Sequence, residues 1–263
     1  MMSYRVNTNV ADIWTEPKFN SERISQALFN EPVEILDSGE EYSRIRLLGD
    51  NYEGYLKNSF YSESSPEEDA DQVVSASIAV AYIGADERAP AATMIPFTSV
   101  VNVKRQANNF IVCETPRFGE IYLVAEDLVP VSHLPKLSRD TMPIFMDCLR
   151  RFVGVPYLWG GKSFFGIDCS GFAQVNFKFF GIDLPRDTGD QINCGKEVDR
   201  DQIQPGDLLF FERHVAIAIS DKSYIHSSSF TNGVYINSFD AAKGNYLKHL
   251  DEGLITVRRV IET

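Results

Sequence analysis

Cysteine is scarce in this 263-residue chain: Cys113, Cys148, Cys169 and Cys194 are the four, and no two form a Cys-x-x-Cys pair. That spacing supports neither a disulfide framework nor a cysteine-based zinc site, so free thiols in a cytosolic protein are the expectation. Basic residues are in the minority, 25 against 37 acidic ones, for a net charge of −12. This counts against nucleic acid as a partner and against electrostatic adhesion to anionic membranes or wall polymers. No window reaches the roughly 18 uninterrupted apolar residues of a membrane span. The opening MMSYRVNTNVADIWTEPKFN has no basic stretch followed by an apolar run, so no secretory leader is expected. What is present, 44% apolar and 24% charged residues, is the make-up of a soluble globular protein able to bury a sizeable core.

Residues 4–60 read as short strands. PVEIL (32–36), YSRIRLL (42–48) and YEGYL (52–56) cluster or alternate apolar residues between turns such as Ser38-Gly39 and Gly49-Asp50. The stretch 62–72, SESSPEEDADQ, holds five carboxylates, one proline and no basic residue, and reads as a solvated connector. Strand patterns resume at 73–83, 99–105, 109–115 and 120–124. YEGYLKNSF and FGEIYLVAEDL end the two regions alike, which predicts two small β-barrels, at 1–62 and 72–131; the alternative is one larger β domain. After a second linker at 132–140 the composition changes. TMPIFMDCLRRFVG (141–154) has Ile144, Cys148, Leu149 and Phe152 at helical spacing and predicts a helix with Cys148 on its packed face.

YLWGGKSFFGIDCSGF (157–172) raises a sharper question, because a core cysteine needs no glycines around it. Asp168 is a good N-cap, apolar residues recur at Phe172, Val175 and Phe179, and Gly181 suits the position just past a helix end. Cys169 therefore falls on the first turn of a helix of about 12 residues, where unpaired N–H groups favour an anion and push a thiol toward thiolate. A nucleophilic thiol needs a base. Of four histidines, His214 begins the second strand of GDLLFFERHVAIAIS (206–220) and His226 lies in the next strand, SYIHSSS (223–229). Strand ends that neighbour one another can bring both together, His214 as base and His226 orienting it through the other ring nitrogen. His133 and His249 sit in linker and tail segments, and no zinc-ligand spacing links Cys169, His214 and His226.

PYLWGGKSFFGIDCSGFAQVNFKFFGIDLPRDTGDQ, PGDLLFFERHVAIAI and YIHSSS together resemble the NlpC-type cysteine peptidases of bacterial cell-wall metabolism, over 139–263. The preceding barrels resemble the bacterial SH3 domains of one branch, the γ-D-glutamyl-L-diamino-acid endopeptidases. The resemblance implies an α+β fold, a papain-like catalytic domain behind two small SH3-like barrels. It implies Cys169 as nucleophile, His214 as base and His226 as the third polar residue. It further implies Tyr157 as an oxyanion donor, Asp168 and Ser170 as substrate contacts, Asp187 and Thr188 as the loop holding the substrate's amine, and Tyr52 of the first barrel as a pocket-closing residue. A first-barrel glutamate belongs to the same set, and Glu22 and Glu31 both remain open.

The implied reaction is hydrolysis of the bond between γ-D-Glu and L-Lys or diaminopimelate in small muropeptides with a free N-terminal L-Ala. It needs no metal or cofactor and involves no membrane. A cytoplasmic recycling enzyme is expected. The alternatives are an exported autolysin acting on intact peptidoglycan and a catalytically dead binding protein.

Overall fold

The computed structural model describes residues 3–64 and 71–261. Most of the acidic connector read at 62–72 lies outside the described residues. The chain divides into two compact units, Met1–Leu134 and Pro135–Thr263.

The first unit is almost entirely β. Seven antiparallel strands run in the order Arg23–Leu28, Val10–Trp14, Glu53–Lys57, Tyr42–Leu47, Pro32–Asp37, Ser3–Val6, Tyr61–Ser64. Alternating side chains such as Ala11, Ile13, Ile45, Leu47 and Leu56 fill one apolar core, as the period of two requires. A five-stranded sheet and a three-stranded sheet follow, around a second core that includes Ala79, Ala81, Ile95, Ile121 and Leu123. Where the sequence pattern predicts one strand over 73–83, there are two, Gln72–Val74 and Ile78–Tyr82. The break has its cause in a distant segment: the Ser75 and Ala76 N–H groups both donate to the Asp127 carbonyl. The two cores are not independent. Phe29 belongs to the second core although it follows a first-barrel strand, and the neighbouring Asn30 donates to Asn102 at 2.7 Å.

The second unit packs helices on a six-stranded antiparallel sheet. Its order is Lys196–Val198, Thr256–Arg259, Leu208–Phe211, His214–Ala218, Ser223–Ser228, Gly233–Ser238. Helix α1 (Met142–Arg151) buries Phe145, Met146, Cys148 and Leu149. Ile144, expected on its packed face, is 53% exposed. The apolar stripe is Phe145, Cys148, Leu149 and Phe152, spaced i, i+3, i+4, i+7, and Ile144 stands about 100° off it. Helix α2 (Cys169–Phe179) is buried on nearly every side, which makes it the central helix of the unit. It packs on the strands His214–Ala218 and Ser223–Ser228. Phe145 meets Phe177 and Phe180 with ring centroids 4.9 and 5.2 Å apart, and Phe152 meets Phe172 at 5.4 Å, so tilted and edge-on aromatic contacts tie α1 to α2. Among the described residues no helix is long and apolar enough to cross a membrane.

Candidate active site

The first turn of α2 is built as a rigid cradle. The Asp168 carboxylate caps the helix, accepting from the Gly171 N–H at 2.7 Å, and its other oxygen accepts from the Gly160 N–H at 2.9 Å. Asp168 N–H in turn donates to the Gly161 carbonyl. The helix start and the Gly160-Gly161 turn are therefore in backbone contact. A Cβ on Gly171 would stand 2.3 Å from the Gly161 oxygen, so only glycine fits there.

Beneath this turn lies a residue to which no sequence signal pointed. Arg186 is 2% exposed and donates to both Asp168 oxygens, at 3.1 and 2.6 Å, and to Ser170 Oγ at 2.8 Å. A buried carboxylate and a buried guanidinium satisfy each other in bidentate geometry. Asp168 and Ser170, which the family resemblance marks as substrate contacts, are thus both buried and both engaged internally. Reading Arg186 from sequence would have required knowing that the LPRDTGDQ loop folds back under the Asp168 cap.

Cys169 stands above the cradle, 8% exposed. Thr188 Oγ1 is 3.8 Å from its sulfur, and the Val215 backbone N–H donates to the same sulfur. Burial, with Asp168 nearby, pushes the thiol up; the Val215 and Thr188 contacts and Arg186 oppose this without reversing it. Enclosure therefore opposes the pull toward thiolate expected at a helix start. The helix start favours an anion, but an enclosed sulfur loses more hydration than two weak donors return.

The sheet register explains how the histidines meet. Ile217 pairs with Ile225 and Ala218 with Tyr224. Continuing that register sets His226 opposite Ala216, on the same face as His214 and diagonal to it. His214 Nε2 and His226 Nδ1 are 2.7 Å apart. His226 Nε2 lies 3.0 Å from Asn237 Oδ1, on the adjoining strand Gly233–Ser238, and Asn237 Nδ2 donates to the Asn245 carbonyl at 2.8 Å. Asn237 is a second residue the sequence did not reveal, since its role depends on strand pairing. Burial, then His226, push the His214 ring down to about 3; burial pushes His226 down to about 4, with Asn237 opposing. Burial thus disfavours charge on the thiol and on both rings. Such a set can act by proton transfer at the moment of attack, with His214 as general base.

Tyr157 is half-buried, and burial together with Cys169 and Asp168 pushes its hydroxyl up to about 12. It therefore stays protonated and able to donate. Asp187 is exposed, at the head of the short helix α3 (Thr188–Gln191) that brings Thr188 to the thiol. In the first unit, Tyr52 packs against its barrel core and Glu31 is buried, accepting from the Leu28 N–H at 2.9 Å, while Glu22 is exposed. Among the described residues no cluster of three or more His, Cys, Asp or Glu side chains is arranged to hold a metal ion.

His226 predicts an acid sensitivity. His214 keeps an edge at the surface, but the His226 ring is fully enclosed. An unfolded imidazole titrates near 6.5 and the folded one near 4. Above pH 6.5 neither state binds the proton and the ring contributes nothing to pH dependence. Between 6.5 and 4 only the unfolded state binds it, so stability falls as pH falls, by about 2 kcal/mol at pH 5 from this ring. Below about 4 the loss levels off. Urea unfolding at pH 7 and pH 5 should show His226→Gln losing about one proton's worth less stability than wild type. Equal losses in the two proteins would refute an enclosed, neutral ring.

The pattern of the NlpC/P60 family matches residues 154–251, and that of the bacterial dipeptidyl-peptidase SH3 domain matches residues 13–59. A γ-D-glutamyl-L-lysine dipeptidyl-peptidase of Bacillus subtilis (strain 168) is 32% identical over 219 residues, covering 77% of this chain and 71% of that one. A dipeptidyl-peptidase 6 of Lysinibacillus sphaericus is 28% identical, covering 92% and 93%. The crystal structure of an NlpC/P60 family protein from Bacillus cereus ATCC 10987 superposes with a TM-score of 0.85 at 22% identity, over 99% of this chain and 100% of that one, a likeness of fold. With the cysteine-bearing helix and the paired histidines in one compact unit, these matches show that the chain belongs to the NlpC/P60 family of cysteine peptidases and carries a bacterial dipeptidyl-peptidase SH3 domain ahead of its peptidase domain.

Proposed function

We propose that this protein hydrolyses the bond between γ-D-glutamate and the following L-lysine or diaminopimelate in peptidoglycan-derived peptides, releasing L-Ala-γ-D-Glu. The observation that carries the reading is the Cys169 thiol at the head of α2, held by Val215 beside a His214–His226 pair. The relatives named for γ-D-glutamyl-L-lysine cleavage supply the substrate class.

The reaction then runs in two halves. His214 takes the thiol proton as Cys169 Sγ bonds to the γ-carbonyl carbon. The negative charge moves to the carbonyl oxygen, where the Cys169 N–H and the protonated Tyr157 hydroxyl are the candidate donors. The intermediate collapses, the C–N bond breaks, and His214 gives its proton to the departing amine. Water, deprotonated by His214, next attacks the thioester and frees the dipeptide and the thiol. Asp168 and Ser170 serve this chemistry by holding the helix start. Asp187, beside the thiol-touching Thr188, is the candidate partner of the substrate's L-Ala ammonium. A role in the cytoplasm, on peptides recovered from wall turnover, belongs to the same proposal; the net charge of −12 supports it, since an acidic protein is repelled by anionic wall polymers.

A free amine is the decisive feature. Asp187 is exposed, so the bond gains strength only as bound substrate covers it; covered, a charge-assisted hydrogen bond from ammonium to Asp187 is worth about 1.5–3 kcal/mol, and N-acetylation is expected to lower kcat/KM by about 10–100-fold. The test compares L-Ala-γ-D-Glu-L-Lys and its diaminopimelate counterpart with their N-acetyl forms, products identified by mass. Asp187→Ala should shrink the difference between free and blocked peptides. Equal cleavage of both by the wild type would overturn the dipeptidyl-peptidase reading and favour an autolysin acting on intact wall.

A further inference from the structure

We infer that Asn237 is a positioning residue that sets the tautomers of both histidines, leaving Nδ1 of His214 as the bare nitrogen available to the thiol. The inference rests on the proposed roles of Cys169 and His214; the relay begins at a group whose hydrogen-bonding character has no ambiguity.

That group is the backbone carbonyl of Asn245, which can only accept. It takes one hydrogen bond from the Ser238 N–H at 3.2 Å and another from the Asn237 side chain at 2.8 Å. The side-chain atom facing it must therefore be the NH₂ of Asn237, because the amide oxygen would meet another oxygen there. With the amide orientation decided, Oδ1 faces His226 Nε2 at 3.0 Å, and it too can only accept. His226 consequently carries its proton on Nε2. A neutral imidazole has one N–H, so His226 Nδ1 is a lone pair. His214 Nε2 is 2.7 Å from that lone pair and must be the donor. His214 Nδ1 is then unprotonated.

The direction of this relay matters. Run the other way, His226 would donate from Nδ1 to His214 Nε2, and His214 would present an N–H where it needs a lone pair. With the relay as built, His214 can receive the Cys169 proton on Nδ1 while keeping its Nε2–H bond to His226, so no proton moves along the chain during attack. Burial keeps His226 neutral and so prevents it from donating at both nitrogens near neutral pH. The loop carrying Asn245 is itself fastened, since Asn245 Nδ2 donates to the Ile236 carbonyl at 3.0 Å. The acceptor at the head of the relay is thus held by the same strand that supplies Asn237.

The test is spectroscopic first. Two-bond ¹H–¹⁵N spectra of wild-type protein labelled at its histidine ring nitrogens distinguish a protonated from a bare nitrogen on each of four rings. The expected result near neutral pH is Nε2–H with bare Nδ1 on both His214 and His226. A proton on His214 Nδ1 overturns the inference whatever any variant does. Asn237→Leu keeps the branched heavy-atom skeleton but removes the acceptor, leaving His226 Nε2 without a partner in either tautomer. Mixed tautomers and a loss in kcat/KM of about 10–100-fold, carried mainly by kcat, are expected, because an unmet buried donor shifts the balance by that factor. Asn237→Leu with the wild-type spectrum and wild-type kcat/KM would overturn the positioning role. Failure of the underlying reading is separable: Cys169→Ala that still cleaves the peptide would refute the proposed reaction, and with it the relay's purpose, while leaving the ring spectra as described.

Discussion

Cys169→Ala is expected to lower turnover of L-Ala-γ-D-Glu-L-Lys by about 10⁴-fold or more while the protein stays folded. The size follows from what is removed. Without the sulfur no thioester can form, and only the oxyanion donors and substrate positioning remain. The fold should survive because the first turn of α2 is held by Asp168, Gly171 and Arg186, none of which depends on the thiol. The other three cysteines are poor substitutes. Cys113 lies in the second core of the first unit, Cys148 is buried on the packed face of α1, and Cys194 follows the short helix α3, whereas Cys169 alone heads α2 and takes the N–H of Val215, the residue next to His214. The histidines extend the prediction. His214→Ala should cost more than His226→Ala, since only the first moves protons, and the double replacement should cost less than the sum of the two logarithms. Groups that act as one unit lose their function once. Full turnover by Cys169→Ala, or strictly additive histidine losses, would refute the assignment.

Arg186→Met is expected to destabilise the peptidase unit by about 3–5 kcal/mol, because it strands the Asp168 carboxylate without its buried counter-charge. Asp168 is 5% exposed, so water cannot replace the guanidinium. Activity should fall as well, by about tenfold or more, because the N-cap that aims Cys169 is the same carboxylate. The neighbouring charges also act on the thiol: Asp168 raises it and Arg186 lowers it, so losing only the arginine pushes it further up and makes deprotonation harder. The double variant Asp168→Asn/Arg186→Met removes both charges and should recover part of the lost stability, the sign of coupling within one ion pair. Urea unfolding of wild type, both single variants and the double variant measures this. Arg186→Met within about 1 kcal/mol of wild type would show that the pair is not a structural keystone.

Some of this was open to inspection in the amino-acid order. Helix α2 announced itself through the Asp168 cap, the spacing of Phe172, Val175 and Phe179, and the terminating Gly181, whose φ is +78°. The hairpin that begins a strand at His214 was equally local, since two turn residues between Phe211 and His214 suffice to reverse the chain. The family was legible because three long segments each carry side chains of constrained chemistry in order. Local signals misled where a second segment intervened. The strand over 73–83 is interrupted by hydrogen bonds to Asp127, and Ile144 looked packed because its type is apolar, although the stripe that meets α2 starts one residue later.

What only the tertiary structure decided is the electrical and hydrogen-bonding state of the site. Helix-start chemistry by itself argues for a thiolate at Cys169, but enclosure of the sulfur by other segments reverses the sign. Arg186 is 18 residues from Asp168 along the chain, and its pairing exists only because a loop returns beneath the helix. Asn237 contacts His226 through strand pairing, and the amide's orientation depends on a carbonyl from yet another loop. The physical reason is common to these cases. Caps, turns and amphipathic stripes are interactions between residues a few positions apart, so composition and spacing specify them. Desolvation and the donor–acceptor direction of a buried network depend on which distant groups close around a site, and spacing along the chain does not contain that information.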